Sequence, residues 1–164
     1  MGILTEDMTR VVREQLGFHA TVCEDGTPNL SPKGCTFVWD DDHIFFAHIR
    51  SPQTVANIRR GSWVEVNLVD PFVRKGYRFK GPAAVYEPGS TQFDQGIERL
   101  RDEGVSAEAR TRVQAIAVIE VQHARTLVSP AYDDGLTTEA TLAKTFHARF
   151  AALHEHLLDP TPTS

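Results

Sequence analysis

Cysteine, methionine and tryptophan are scarce in this chain of 164 residues, at two of each. Two cysteines without a Cys-x-x-Cys pair argue against structural zinc, which takes four ligands. Register argues against a disulfide. If Cys23 and Cys35 flank a hairpin turning at Asp25-Gly26, Cys35 falls opposite a residue near position 16. An offset of about six residues at about 3.3 Å each is beyond the reach of an S–S bond, so free thiols are expected. Basic excess is missing too: 17 Lys and Arg against 22 Asp and Glu leave a net charge of −5, with no footprint for nucleic acid or an anionic membrane. No apolar run reaches about 18 residues, the length a membrane helix needs. The stretch Met1 to Asp7 is polar and acidic, without the basic start and apolar core of a signal peptide, so a cytoplasmic protein is expected. Neither G-x-G-x-x-G nor G-x-x-x-x-G-K-[ST] occurs, which removes the common nucleotide-binding loops.

What is present is a globular composition, 41% apolar and 24% charged, sized for one domain spanning 1–164. Leu4, Met8, Val11, Val12 and Leu16 space out an amphipathic helix over 4–15, with Thr5 as its cap. Phe18, Ala20 and Val22 alternate with His19, Thr21 and Cys23 as a half-buried strand, and a second strand runs from Asn29 to Val38. Asp40-Asp41-Asp42 lacks the spacing of a calcium loop and reads as a solvated turn. Ile44–Ala47 is a short apolar strand, 52–60 a helix stopped by Gly61, and Val64–Leu68 a strand. A long strand from Tyr77 to Tyr86 carries Gly81-Pro82, the mark of a bulge or sharp bend. Ser90 caps a helix holding Phe93, Ile97 and Leu100, and 101–110 is acidic and mobile in character. Val113 to Val121 is apolar at nearly every position, as in a strand covered on both faces, and 122–128 extends the ladder. A last helix over about 138–157 lines up Leu142, Phe146, Phe150, Leu153 and Leu157, before a frayed tail at Asp159–Ser164. The fold class expected is mainly β: about six antiparallel strands in a small barrel with added helices.

Two stretches organise the rest. Ser31-Pro32-Lys33-Gly34 interrupts a strand with proline and glycine around a lysine, offering backbone and a cation to something other than a neighbouring strand. His48-Ile49-Arg50-Ser51-Pro52-Gln53-Thr54 closes a strand and opens a helix, with Ser51 at the cap and Pro52 at the first helical position. A helix start with unpaired N–H groups, an arginine before it and hydroxyls beside it suits a phosphate. A planar ligand with a phosphate tail fits both stretches.

Gly26-Thr27-Pro28-Asn29-Leu30-Ser31-Pro32-Lys33-Gly34, then Ile44–Ala47, Thr54–Ile58 and Gly76-Tyr77-Arg78-Phe79-Lys80-Gly81-Pro82-Ala83 occur in a characteristic order. Over roughly residues 10 to 127 the chain resembles the pyridoxamine 5'-phosphate oxidase-like, FMN-binding split β-barrel proteins. The resemblance implies a six-stranded split barrel that forms a homodimer with FMN at the subunit interface. It implies that Asn29, Ser31, Pro32, Lys33 and Gly34 run along the isoalloxazine, that Phe46, Ala47 and His48 approach it, and that Arg50, Ser51, Gln53 and Thr54 take the phosphate. True pyridoxamine phosphate oxidases carry an Arg/Lys pair where this chain has Gln53-Thr54, and a C-terminal segment of arginines and tryptophan that is missing here. Pyridoxamine phosphate oxidation is therefore not expected.

The expected function is FMN-dependent redox chemistry on a small organic substrate, with no side chain named as catalyst. A non-catalytic electron carrier or flavin store is the alternative, as is a protein of the same barrel holding deazaflavin or haem. His147, His154 and His156 do not converge on a metal, and His19 and His43 are expected in solvent. A triad of Ser31, His48 and an aspartate lacks any G-x-S-x-G elbow. Trp39, Trp63 and Phe72 are the aromatics expected to meet a second copy, with packing inside the barrel the other reading of the tryptophans.

Overall fold

A computed structural model describes residues 2–158, with side chains to Glu155. Helix α1 (Glu6–Glu14) opens with the Met8 N–H donating to the Thr5 hydroxyl. Strands β1 (Gly17–Val22) and β2 (Pro28–Lys33) form a hairpin in which Gly26, at φ 82°, takes the left-handed turn position. Strands β3 (Thr36–Asp40) and β4 (His43–His48) form a second hairpin. Helix α2 (Pro52–Arg59), strands β5 (Val64–Asp70), β6 (Lys75–Gly81) and β7 (Ala83–Tyr86), and helix α3 (Thr91–Asp102) follow. The acidic stretch expected to be mobile holds the end of α3 and a short helix α4 (Ala107–Thr111), whose N-cap Ser106 accepts from the Ala109 N–H. Strands β8 (Ala115–Glu120) and β9 (His123–Val128) precede helix α5 (Glu139–Leu158).

Among the described residues nine strands pair in two antiparallel sheets: β2-β1-β5-β6-β9 and β3-β4-β8-β7. Both strands expected to be long are divided between the sheets, one at Gly34-Cys35 and the other at Pro82. The physical reason is plain at Gly81. A Cβ there would lie 1.8 Å from the Glu120 carbonyl oxygen, so only glycine lets β6 cross the end of β8. The Pro82 carbonyl then accepts from the Glu120 N–H at 3.0 Å, and the chain enters the other sheet.

One core lies between the sheets, with Phe46, Val64, Val66, Leu68, Phe79 and Ile119 closed over by Val11 and Val12 of α1. A second core lies on the other face of the four-stranded sheet, where Phe37, Phe45, Ile116 and Val118 meet Leu100 of α3. That double covering accounts for the unbroken apolar run in β8. The five-stranded sheet is covered on its inner face only.

One expectation is corrected here, that of a solvated His19, and two of the aromatics find partners within the chain. His19 is fully buried, because β1 turns Gly17, His19 and Thr21 inward and Phe18 and Val22 outward. Trp39 is occupied within the chain, edge-on to Phe45 and beneath the Arg99 guanidinium. Phe72 stacks on His147 of α5 at 3.9 Å between ring centroids, while Arg74 lies over Phe146 and Lys75 pairs with Glu139 at 2.8 Å. Leu142, Phe146 and Phe150 are half-buried and Leu153 exposed; the His156 and Leu157 side chains and the tail at 159–164 lie outside what is described. Among the described residues no helix is long and apolar enough to cross a membrane. Cys23 and Cys35 are free thiols.

Candidate cofactor site

A polar seam runs where β1 and β2 meet α2. The hairpin register sets Gly17 opposite Lys33, His19 opposite Ser31 and Thr21 opposite Asn29. Because side chains alternate across a strand, all these residues share the inner face, and α2 lies against it with Ser51, Thr54 and Asn57.

At the far end the seam is tied by amide and hydroxyl hydrogen bonds, and the Arg60 guanidinium also donates to Asn57 Oδ1. Asn29 Nδ2 donates to Thr21 Oγ1 and Thr54 Oγ1, both at 3.0 Å, and Asn57 Nδ2 donates to the same Thr21 oxygen at 2.9 Å. Gln53 Nε2 donates to Asn57 Oδ1 at 2.8 Å. Thr54 and Asn57 are buried, so this end fixes α2 to the hairpin.

At the near end the seam carries a charge. Lys33 is only 8% exposed, and its Nζ donates to Ser31 Oγ at 2.9 Å and to Ser51 Oγ at 2.7 Å, 4.7 Å from the centre of the Phe46 ring. Burial holds its pKa down at about 8. Its hydrogen-bond partners are hydroxyls, and no carboxylate pairs with it among the described residues. A cation in such a place calls for an anion, since neutral partners do not repay its desolvation.

Ser51 stands at the N-cap of α2, yet its side chain caps nothing. Its hydroxyl accepts from Lys33 and lies 3.1 Å from His48 Nδ1, which also accepts the Ser51 N–H at 3.2 Å. That pattern puts the His48 proton on Nε2 and makes His48 the group that positions Ser51. Burial, Lys33 and Arg59 lower the His48 pKa, in that order, so the ring is neutral at pH 7. The first turn of α2 is left without a side-chain cap, with Lys33 beside it.

Of the residues singled out in sequence, Asn29, Ser31, Lys33, His48, Ser51 and Thr54 come together in the seam. Pro32 and Gly34 are exposed at the end of β2, and a Cβ on Gly34 would meet nothing within 4 Å. Phe46 and Ala47 belong to the two cores, and Arg50 and Gln53 are exposed. Sequence reasoning missed Thr21, His19, Thr36 and Asn57. The Asp25-Gly26 turn was the signal for the first two, since it pairs them with Asn29 and Ser31. His19 Nε2 lies 2.9 Å from Thr36 Oγ1, whose own proton goes to the Lys33 carbonyl at 3.4 Å. His19 Nδ1 is buried without a partner, and burial together with the Lys33 charge lowers the His19 pKa to about 3. No group of side chains that could hold a metal ion occurs among the described residues.

Residues 4–128 match the family model described as pyridoxamine 5'-phosphate oxidase. No curated protein matches. Among solved structures the chain is similar to HupZ of Group A Streptococcus, at 27% identity over 77% of this chain and 96% of that one, with a TM-score of 0.66. It is also similar to an FMN-binding protein of Syntrophomonas wolfei subsp. wolfei, at 17% identity over 75% and 86% with a TM-score of 0.59. The heme storage protein HutZ of Vibrio cholerae matches at 17% identity over 78% and 95%, with a TM-score of 0.60.

Proposed function

From the premise that this chain belongs to the pyridoxamine 5'-phosphate oxidase family, we propose that it binds FMN and serves as an oxidoreductase acting on a small organic substrate. The observation that carries this reading is Lys33, a buried ammonium held by two hydroxyls beside an uncapped helix start. Those groups fit a phosphate: a cation, the Ser51 hydroxyl and the free end of a helix dipole. His48 keeps the Ser51 hydroxyl in place. When bound, FMN supplies the hydride chemistry.

As a split barrel, β2 with β3 and β6 with β7 would count as two continuous strands; with β1, β4, β5 and β8 these would be the six, and β9 an added strand beside β6. The outer face of the hairpin, where Leu30 is 62% and Phe18 44% exposed beside Val22, supports a homodimer. Apolar side chains in a row on a sheet face suit a second copy.

The visible spectrum of the purified protein tests the cofactor. Flavin bands are expected; a single near-ultraviolet deazaflavin band or a Soret band would replace FMN by one of the alternatives. Titration then tests the phosphate: FMN should bind more tightly than riboflavin by about 2 kcal/mol or more, as charge-assisted hydrogen bonds give. Equal affinities would remove Lys33 and Ser51 from the site. A bound flavin that no small substrate oxidises or reduces would make the protein an electron carrier.

A further inference from the structure

The outer face of β6 and β9 holds a second concentration of charge, remote in the sheet order from β2. Arg78 stands directly opposite Arg125, and Lys80 directly opposite His123. All four are exposed on one face, since each pair is two residues apart along its strand. Like charges placed directly across an antiparallel ladder repel, and unlike pairs are the favoured arrangement. The one carboxylate among them, Glu65, is already committed to Arg78 at 3.1 Å. The surplus is thus positive in a chain whose net charge is −5. These five side chains line a cavity of about 300 Å³. Strand and residue spacings put these four positions at the corners of a rectangle of about 5 by 7 Å, the scale of a diphosphate group. Trp63 is exposed at its edge, its ring 6.1 Å from that of His123 and tilted 32° to it, an open aromatic face for a planar base.

We propose that this face is a second ligand site, taking the diphosphate of a nucleoside diphosphate between Lys80, Arg78 and Arg125 and its base on Trp63. The site stands apart from Lys33 and does not depend on the flavin reading.

Calorimetric titration of the full chain, with and without saturating FMN, uses pyrophosphate, ADP, adenosine and NADH as probes. Pyrophosphate should bind, ADP about tenfold more tightly through stacking on Trp63, and adenosine alone not measurably. A stronger response to NADH than to ADP assigns the site to a dinucleotide; the reverse assigns it to the free nucleotide. Lys80→Glu with Arg125→Glu should abolish pyrophosphate binding while the circular dichroism spectrum is unchanged. With FMN saturating, Trp63→Ala should reduce ADP to the affinity of pyrophosphate. The proposal fails if pyrophosphate does not bind, if FMN displaces it, or if the charge reversals leave its affinity intact. The cations would then serve only to guard the β9 edge against pairing with other strands.

Discussion

In β4, Phe45 faces one core and Phe46 the other, so the four-stranded sheet has no bare side. In β1 the inward face carries Gly17, His19 and Thr21 while Phe18 and Val22 face out. One sheet spends its apolar residues on stability; the other turns polar groups inward and leaves its apolar row bare. On the reading proposed above, the covered sheet is the scaffold and the half-bare sheet, with the helix against it, carries the site.

The largest test of that contrast is Phe45→Ala. It should cost about 3–5 kcal/mol of stability in chemical denaturation, because it opens a cavity in a core covered on both sides. The polar interior of the other sheet should reveal itself in acid. The His19 pKa is lowered from 6.5 to about 3 in the folded chain, so only the unfolded chain takes up this proton between those values. Stability from this group is therefore full above pH 6.5 and lost as pH falls, by about 1.4 kcal/mol per pH unit. His19→Leu should flatten that slope, measured as denaturation midpoints against pH.

Lys33→Met sharpens the comparison at the site. It should weaken FMN by at least about tenfold without destabilising the ligand-free fold, since the charge it removes is buried without an anion. A lysine lying along the isoalloxazine would instead leave affinity unchanged and move the flavin midpoint potential negative by roughly 30 mV. Alkaline titration probes the same charge more gently. FMN affinity should hold up to about pH 8 and weaken above it as Lys33 loses its proton, a decline that Lys33→Arg abolishes. The smallest effect on folding is expected at the bare row. Leu30→Ser should change monomer stability by less than about 0.5 kcal/mol, yet shift the mass seen by light scattering from dimer to monomer.

The double covering of β8 was legible because a run such as Ala115–Ile119 leaves no face for water. The bend at Gly81-Pro82 was legible because neither residue suits the middle of a ladder. The orientation of β1 was not. Its period of two defines two faces but does not say which is buried, and by default the apolar one would be. Here the outward row suits another molecule, and the inward row is fixed by hydrogen bonds that span the hairpin and α2. The Lys33 site was half legible: the residue types were read from the two stretches, but the contact of Lys33 with Ser51 depends on how α2 lies on the hairpin.

The pairing of β4 with β8 has a consequence for how the chain is made. Ile44 pairs with Ile119, so β4 must wait for most of the polypeptide before its second neighbour exists. Until then the row Ile44–Ala47 has β3 on one side and an open edge on the other, with an apolar surface on both faces. Closing such a distant contact is entropically slow. Refolding should accordingly be slow and its yield should fall with protein concentration, because a β4 edge from another chain is available sooner than the β8 of its own.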